Sequence, residues 1–162
     1  MPTTAQLARS AVLAALSLLA CTNGSTSPTE AHGSVTFTTV IQFAVPGQNG
    51  DQLRVVVRDA ATWARVWADL QAGSSLQDTP PAVDFSREML VVAAMPTQSC
   101  VAKVSVRSIV RAGDGSLAVD VLEQPPAANC RCMTSERPFH VVSLARTDAQ
   151  VRFSVEISPR SC

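Results

Sequence analysis

From Val35 onward the chain alternates, with Val35, Phe37, Thr39, Ile41 and Phe43 on one side and Thr36, Thr38 and Gln42 on the other. That two-residue period is the mark of a half-buried strand. The stretch Pro46-Gly47-Gln48-Asn49-Gly50-Asp51 has the composition of a turn, and beyond it Leu53, Val55 and Val57 alternate with Arg54, Val56 and Arg58. The two strands are expected to pair as a hairpin. The period then lengthens: Trp63, Val66, Trp67 and Leu70 recur at i, i+3, i+4 and i+7, behind Asp59 as N-cap and ahead of Gly73 as the stop. Both tryptophans fall on one helix face, where their large apolar area is best buried against a sheet.

Pro80 and Pro81 forbid regular structure, so the apolar run after Arg87 and Glu88, through Met89 and Leu90 to Ala94, predicts a buried strand. Val104 and Val106 alternate with Lys103, Ser105 and Arg107, and Leu117, Val119 and Val121 alternate with Ala118 and Asp120. The segment Ala112-Gly113-Asp114-Gly115-Ser116 between them predicts a hairpin turn. Another hairpin is expected where Val142 and Leu144 lead through Thr147-Asp148-Ala149-Gln150 into Val151, Phe153, Val155 and Ile157. Consecutive hairpins give antiparallel sheets. The expected fold is mainly β (α+β): an antiparallel β-sandwich or partly open barrel of about seven strands, with one amphipathic helix packed on it.

The helix carrying Trp63 and Trp67, followed by Pro81-Ala82-Val83-Asp84-Phe85-Ser86-Arg87-Glu88-Met89, resembles the C-terminal domain family named after PrcB, a lipoprotein subunit of a bacterial protease complex. Met95-Pro96-Thr97, the strand from Leu117 to Val121 ahead of Pro125-Pro126, and Pro138-Phe139-His140-Val141-Val142 extend the likeness, which spans Asp59 to Arg146. Where that family often shows Pro-Thr-Gly-Gly-Tyr, this chain has Pro96-Thr97-Gln98-Ser99-Cys100. The resemblance implies an accessory, non-catalytic lipoprotein domain that binds another protein. In the founding member the domain assists a protease's maturation or assembly. A shorter likeness relates Pro96-Thr97 and Arg137-Pro138-Phe139 to loop motifs of chagasin-type inhibitors, which are sandwiches presenting loops to a cysteine protease. A structural envelope lipoprotein is a further alternative.

The N-terminal residues change the picture of location. Arg9 precedes a short apolar run from Ala11 to Ala20, as in secretory signals, and the run is too short to span a bilayer. Leu18-Leu19-Ala20-Cys21 resembles a bacterial lipobox, which implies cleavage after residue 20 and lipidation of Cys21. Acyl chains there would make membrane attachment effectively permanent, since each buried methylene contributes about 0.8 kcal/mol. Residues 21–33 form a segment that after Cys21 is mostly Thr, Ser, Asn, Gly and Pro with hardly an apolar side chain, a composition that predicts a flexible stalk, with His32 idle in it. Residues 34–162 are then a single folded domain. The expected location is the bacterial cell envelope, by a lipid anchor on the periplasmic face of the outer membrane or on the cell surface.

Thirteen basic against thirteen acidic residues leave no net charge, and no run of Lys or Arg forms a stripe. Nucleic acid is therefore not an expected partner. Beyond Cys21 four cysteines remain, Cys100, Cys130, Cys132 and Cys162, and an even number in an exported chain predicts two disulfides. Joining Cys130 to Cys132 across one residue would strain the ring, so Cys100 is expected to pair with one of them and Cys162 with the other. A structural zinc would want a second close pair of thiols. No metal or cofactor is expected.

His140 is the one histidine of the domain, and no nucleophile elbow accompanies it. Among Asp84, Glu88, Asp120 and Glu123 no spacing singles out an acid/base pair, and Asp84 is expected to cap a turn or pair with Arg87. No catalytic residue is assigned and no enzyme activity is expected. The expected partner is an envelope or secreted protein, with a protease as one candidate. The candidate partner-binding residues are Pro96, Thr97, Arg137, Phe139 and His140, on loops that the bridge from Cys100 would draw together; the alternative is that Phe139 belongs to the core and Arg137 is merely solvated, since a buried strand begins at Val142 and Leu144.

Overall fold

The structure, a computed structural model, describes residues 33–46, 50–72 and 79–162. The expected signal segment, the expected lipidation site Cys21, His32, the expected stop at Gly73 and the middle of the turn at residues 47–49 lie outside the described residues. Nine strands and one helix are described: β1 (Gly33–Ser34), β2 (Phe37–Pro46), β3 (Leu53–Val57), α1 (Ala60–Leu70), β4 (Glu88–Ala94), β5 (Gln98–Ser99), β6 (Lys103–Arg111), β7 (Leu117–Gln124), β8 (Ser135–Ala145) and β9 (Val151–Ile157). They form two sheets, in the orders β1-β6-β7-β9 and β2-β8-β4-β3, with β5 attached to β8. The sheets stack as a sandwich and neither closes into a barrel, so the expected mainly β architecture is the one observed.

The amino-acid pattern explains the layering. Met89 to Met95 is buried without a break, because β4 is central and covered on both sides. Its odd residues Met89, Val91 and Ala93 join Val104, Val119 and Val142 in a core between the sheets. Its even residues Leu90, Val92 and Ala94 face the other way and pack with Trp63, Trp67, Leu70 and Phe139. The helix thus covers the outer face of the five-stranded sheet. Asp59 caps it as expected: its backbone is extended and its carboxylate accepts the Thr62 N–H at 2.8 Å. The Trp63 indole donates to Pro81 O at 2.9 Å, which ties the proline loop to the helix. Asp84 also caps a turn, accepting from Ser86 N and Oγ, and these bonds hold its pKa below the usual carboxylate value.

Two expected hairpins are corrected. β2 and β3 do not pair; they are the opposite edges of one sheet, where β2 pairs with β8 and β3 with β4. β8 and β9 do not pair either, because the connection between them crosses from one sheet to the other. Arg58 holds that crossing through Thr147 O and Ala149 O at 3.0 and 2.8 Å, and Arg146 donates to Arg58 O and Phe85 O. On arrival β9 pairs with β7 in parallel, so the sheets are not wholly antiparallel. The β6–β7 hairpin forms as expected, with Gly115 at φ 79° in its turn. In β2 the register shifts between Thr39 and Ile41, which reverses the expected facing. Phe37 packs between the sheets, whereas Phe43 beyond the bulge is 55% exposed.

Candidate functional site

At one end of the sandwich three segments meet: the chain after β4, the loop between β7 and β8, and the C-terminal residues. Cys100 and Cys132 are at disulfide distance with Cα atoms 5.1 Å apart, and so are Cys130 and Cys162, at 5.6 Å. This agrees with the expected pattern and selects Cys132 as the partner of Cys100. Each bridge closes a loop with a sequence separation of 32. On the chain-entropy account each such loop contributes about 3–4 kcal/mol. The four sulfurs are consumed in pairs, which takes the thiols from the zinc reading, and bridges of this kind belong to an oxidising, exported environment.

Backbone bonds complete the clamp. Ala127 N–H donates to Arg160 O at 2.9 Å and Arg160 N–H to Pro125 O at 2.8 Å, so the C-terminal residues run parallel to the start of the β7–β8 loop. Cys100 N–H donates to Thr134 O at 3.2 Å, with Cys100 in the left-handed region at φ 69°. Ala102 N–H donates to the Glu136 carboxylate at 3.1 Å. Held in this way, Pro96, Ser99, Val101, Arg131, Met133 and Thr134 face solvent. Val101 and Met133, 66% and 105% exposed, follow the two cysteines of one bridge. A groove of about 240 Å³ is walled by Phe43, Lys103, Pro138, Arg160 and Ala102, the residue after Val101. A larger depression of about 580 Å³ lies by the Gly115 turn, but there Asp114 already holds Ser116 and Arg152.

The structure corrects three of the expected partner-binding residues. Arg137, Phe139 and His140 are buried in β8, at 4%, 0% and 4% exposure, and each has an internal task. The Arg137 guanidinium donates to Asp69 O and Asp51 O at 2.8 and 2.6 Å and to the Asp69 carboxylate at 3.0 Å, which secures the last turn of α1 to the start of β3. Gly50 makes room for it: a Cβ there would overlap the Arg137 side chain. Phe139 meets Trp67 edge to face, with ring centres 6.2 Å apart. Pro96 is exposed as expected. Thr97 is half-buried, its hydroxyl accepting the Gly50 N–H and its own N–H donating to Gly50 O. The segments likened to inhibitor loops therefore turn Thr97, Arg137 and Phe139 inward.

His140 links the two sheets. Its Nδ1 accepts the Val106 N–H at 2.9 Å, so the ring proton sits on Nε2, 3.0 Å from Thr39 Oγ1. Burial, then the charge of Lys103, lowers its pKa from 6.5 to about 4. A second proton on Nδ1 would face the Val106 N–H and break the bond. Between those pH values the unfolded chain binds more protons than the folded one, so stability rises with pH. The contribution is complete above 6.5 and is lost as pH falls through about 4. Acidification from pH 7 to 4 should remove about 2 kcal/mol through this residue after discounting for solvent screening. Urea midpoints measured across that range for the protein and for His140→Gln should show a flatter profile in the variant.

The buried pair Arg54–Glu123 was not among the expected features. Glu123 is 5% exposed and forms an ion pair with Arg54 across the two sheets, while Gln52 donates to the same carboxylate at 3.0 Å. The signal was present: Glu123 continues the inward parity of Leu117, Val119 and Val121. Of the carboxylates considered for acid/base work, Asp84 caps its turn, Glu123 pairs with Arg54, and Asp120 is held by Ser108 and Ser154 on the outer face of β7. Among the described residues no group of three or more His, Cys, Asp or Glu is placed to hold a metal ion, and no helix is long and apolar enough to cross a membrane. No protein-family model matches the chain, and no curated protein or solved structure is significantly similar to it.

Proposed function

We propose that the protein is a non-catalytic accessory module of the bacterial envelope, tethered by lipid at Cys21, that binds an envelope or secreted protein through its disulfide-clamped end. The observation that carries this reading is the exposure of Val101 and Met133 beside the Cys100–Cys132 bridge. Loops fixed by a covalent clamp lose little entropy on binding, and methionine adapts its shape to a partner. Arg131, exposed between the two bridged cysteines, adds a side-chain type enriched at interfaces. The lipobox-like Leu18-Leu19-Ala20-Cys21 supports the tether, and the resemblance to the PrcB C-terminal family supports an accessory role, with a protease complex as one candidate partner.

Fractionation and co-purification of the full chain from its native envelope test both parts. Cys21→Ser should move the protein out of the membrane fraction or block its processing, and an unchanged membrane fraction would remove the tether. Val101→Asp with Met133→Asp should lower partner recovery at least tenfold without shifting the melting temperature by more than about 2 °C, because surface changes away from packed features stay near 0.5 kcal/mol. Unchanged recovery would move the binding surface elsewhere.

A further inference from the structure

We infer that β9 is a self-association edge, on which a second copy of this chain docks its own β9 antiparallel, in a register centred on Ser154. Among the described residues β9 pairs on one side only, with β7. Leu117 N–H donates to Gln150 O and Ser158 N–H to Glu123 O, so the even-numbered residues of the strand turn their peptide groups toward β7. Those of Val151, Phe153, Val155 and Ile157 consequently point outward, an unfilled row of donors and acceptors over the whole strand.

The other strand edges carry devices that discourage pairing. β1 has two residues, β2 has a register shift at Thr39/Ile41 and ends in Pro46, and β3 turns the charged Arg54 inward. β9 has no proline, no register shift and no inward charge, and its inward-facing Val155 and Ile157 remain 43% and 64% exposed.

The occupant follows from the order of side chains. Seven residues symmetric about Ser154 put each odd residue opposite an odd residue, which satisfies both outward rows at once. In that register Arg152 of one copy faces Glu156 of the other, twice across the two-fold axis. Val151 faces Ile157 and Phe153 faces Val155, so the exposed apolar side chains cover each other. Shifting the register by two residues in either direction loses the Arg152–Glu156 match. Within one chain Arg152 reaches Asp114 at 3.0 Å and Glu156 reaches Arg107 at 2.7 Å, both pairs about half-exposed and open to a further neighbour. The product is one continuous sheet of eight strands, a surface distinct from the clamped end.

The test is sedimentation equilibrium of the full chain, oxidised and in mild detergent, from 1 to 200 µM by order of magnitude, with circular dichroism confirming each variant's fold. The wild type should dimerise. Arg152→Glu alone and Glu156→Arg alone each place like charges opposite one another twice and should raise the dimer dissociation constant at least about tenfold. Mixing these two variants should restore association, because each supplies the charge the other lacks, and the double swap within one chain should dimerise as the wild type does. A wild type that stays monomeric throughout overturns the proposal. So does a dimer indifferent to the single variants, or a mixture no tighter than its components.

Discussion

Replacing Phe139 by alanine should destabilise the protein by about 3–5 kcal/mol, because it removes a fully buried ring from the junction of the helix and the five-stranded sheet. The ring has no exposed surface and sits edge-on to Trp67, so the space left could be filled only by moving the helix. Arg137→Ala should add about 2–4 kcal/mol of loss, since bonds from a charged donor to Asp69 O, Asp51 O and the Asp69 carboxylate disappear together. The two sites flank the same helix, and their effects will not sum simply. Denaturant midpoints of the single and double variants measure this. Stability within 0.5 kcal/mol of wild type, a rough bound for surface substitutions, would return these side chains to the surface role that the sequence suggested.

A second large effect is expected between the sheets. Glu123→Ala should cost about 3–5 kcal/mol by leaving the Arg54 guanidinium, 12% exposed, without its carboxylate. Gln52 loses its acceptor in the same step. Replacing both charges, as Arg54→Met with Glu123→Leu, should return most of the stability, because an apolar pair of similar volume needs no compensating charge. Urea unfolding of the two variants separates the cases. Equal stability of Glu123→Ala and wild type would mean that water, rather than Arg54, satisfies the carboxylate.

The elements themselves were legible where neighbours in sequence set the pattern. The period of Trp63, Val66, Trp67 and Leu70 specifies the helix, and the unbroken run from Met89 to Ala94 marks a strand covered on both faces. The β6–β7 hairpin was equally local. Pairing between distant strands was not legible, because alternation gives a strand its faces and leaves its neighbours unspecified. β8 lies between β2 and β4, and β9 beside β7, across a crossing between sheets that Arg58 and Arg146 hold by bonds to residues far away in sequence. The same blindness left Phe139 open between core and surface and misplaced Arg137 and His140. The apolar stretch Pro138 to Val142 signals a strand covered on both faces, and a signal of that kind outweighs the interface preference of Arg and Phe. The disulfides narrowed correctly to two pairings, and the choice between them rests on the backbone path through Cys130 to Cys132.

Site-specific photo-cross-linking in the native envelope tests the claim of a clamped binding end most directly. A photoreactive residue at Met133 should yield a discrete cross-linked protein, and the same residue at Ala118, exposed on the outer face of β7, should not. Reducing the bridges beforehand should abolish the Met133 product. Equal labelling from both positions, or none from Met133 while the oxidised protein remains folded, would contradict the account.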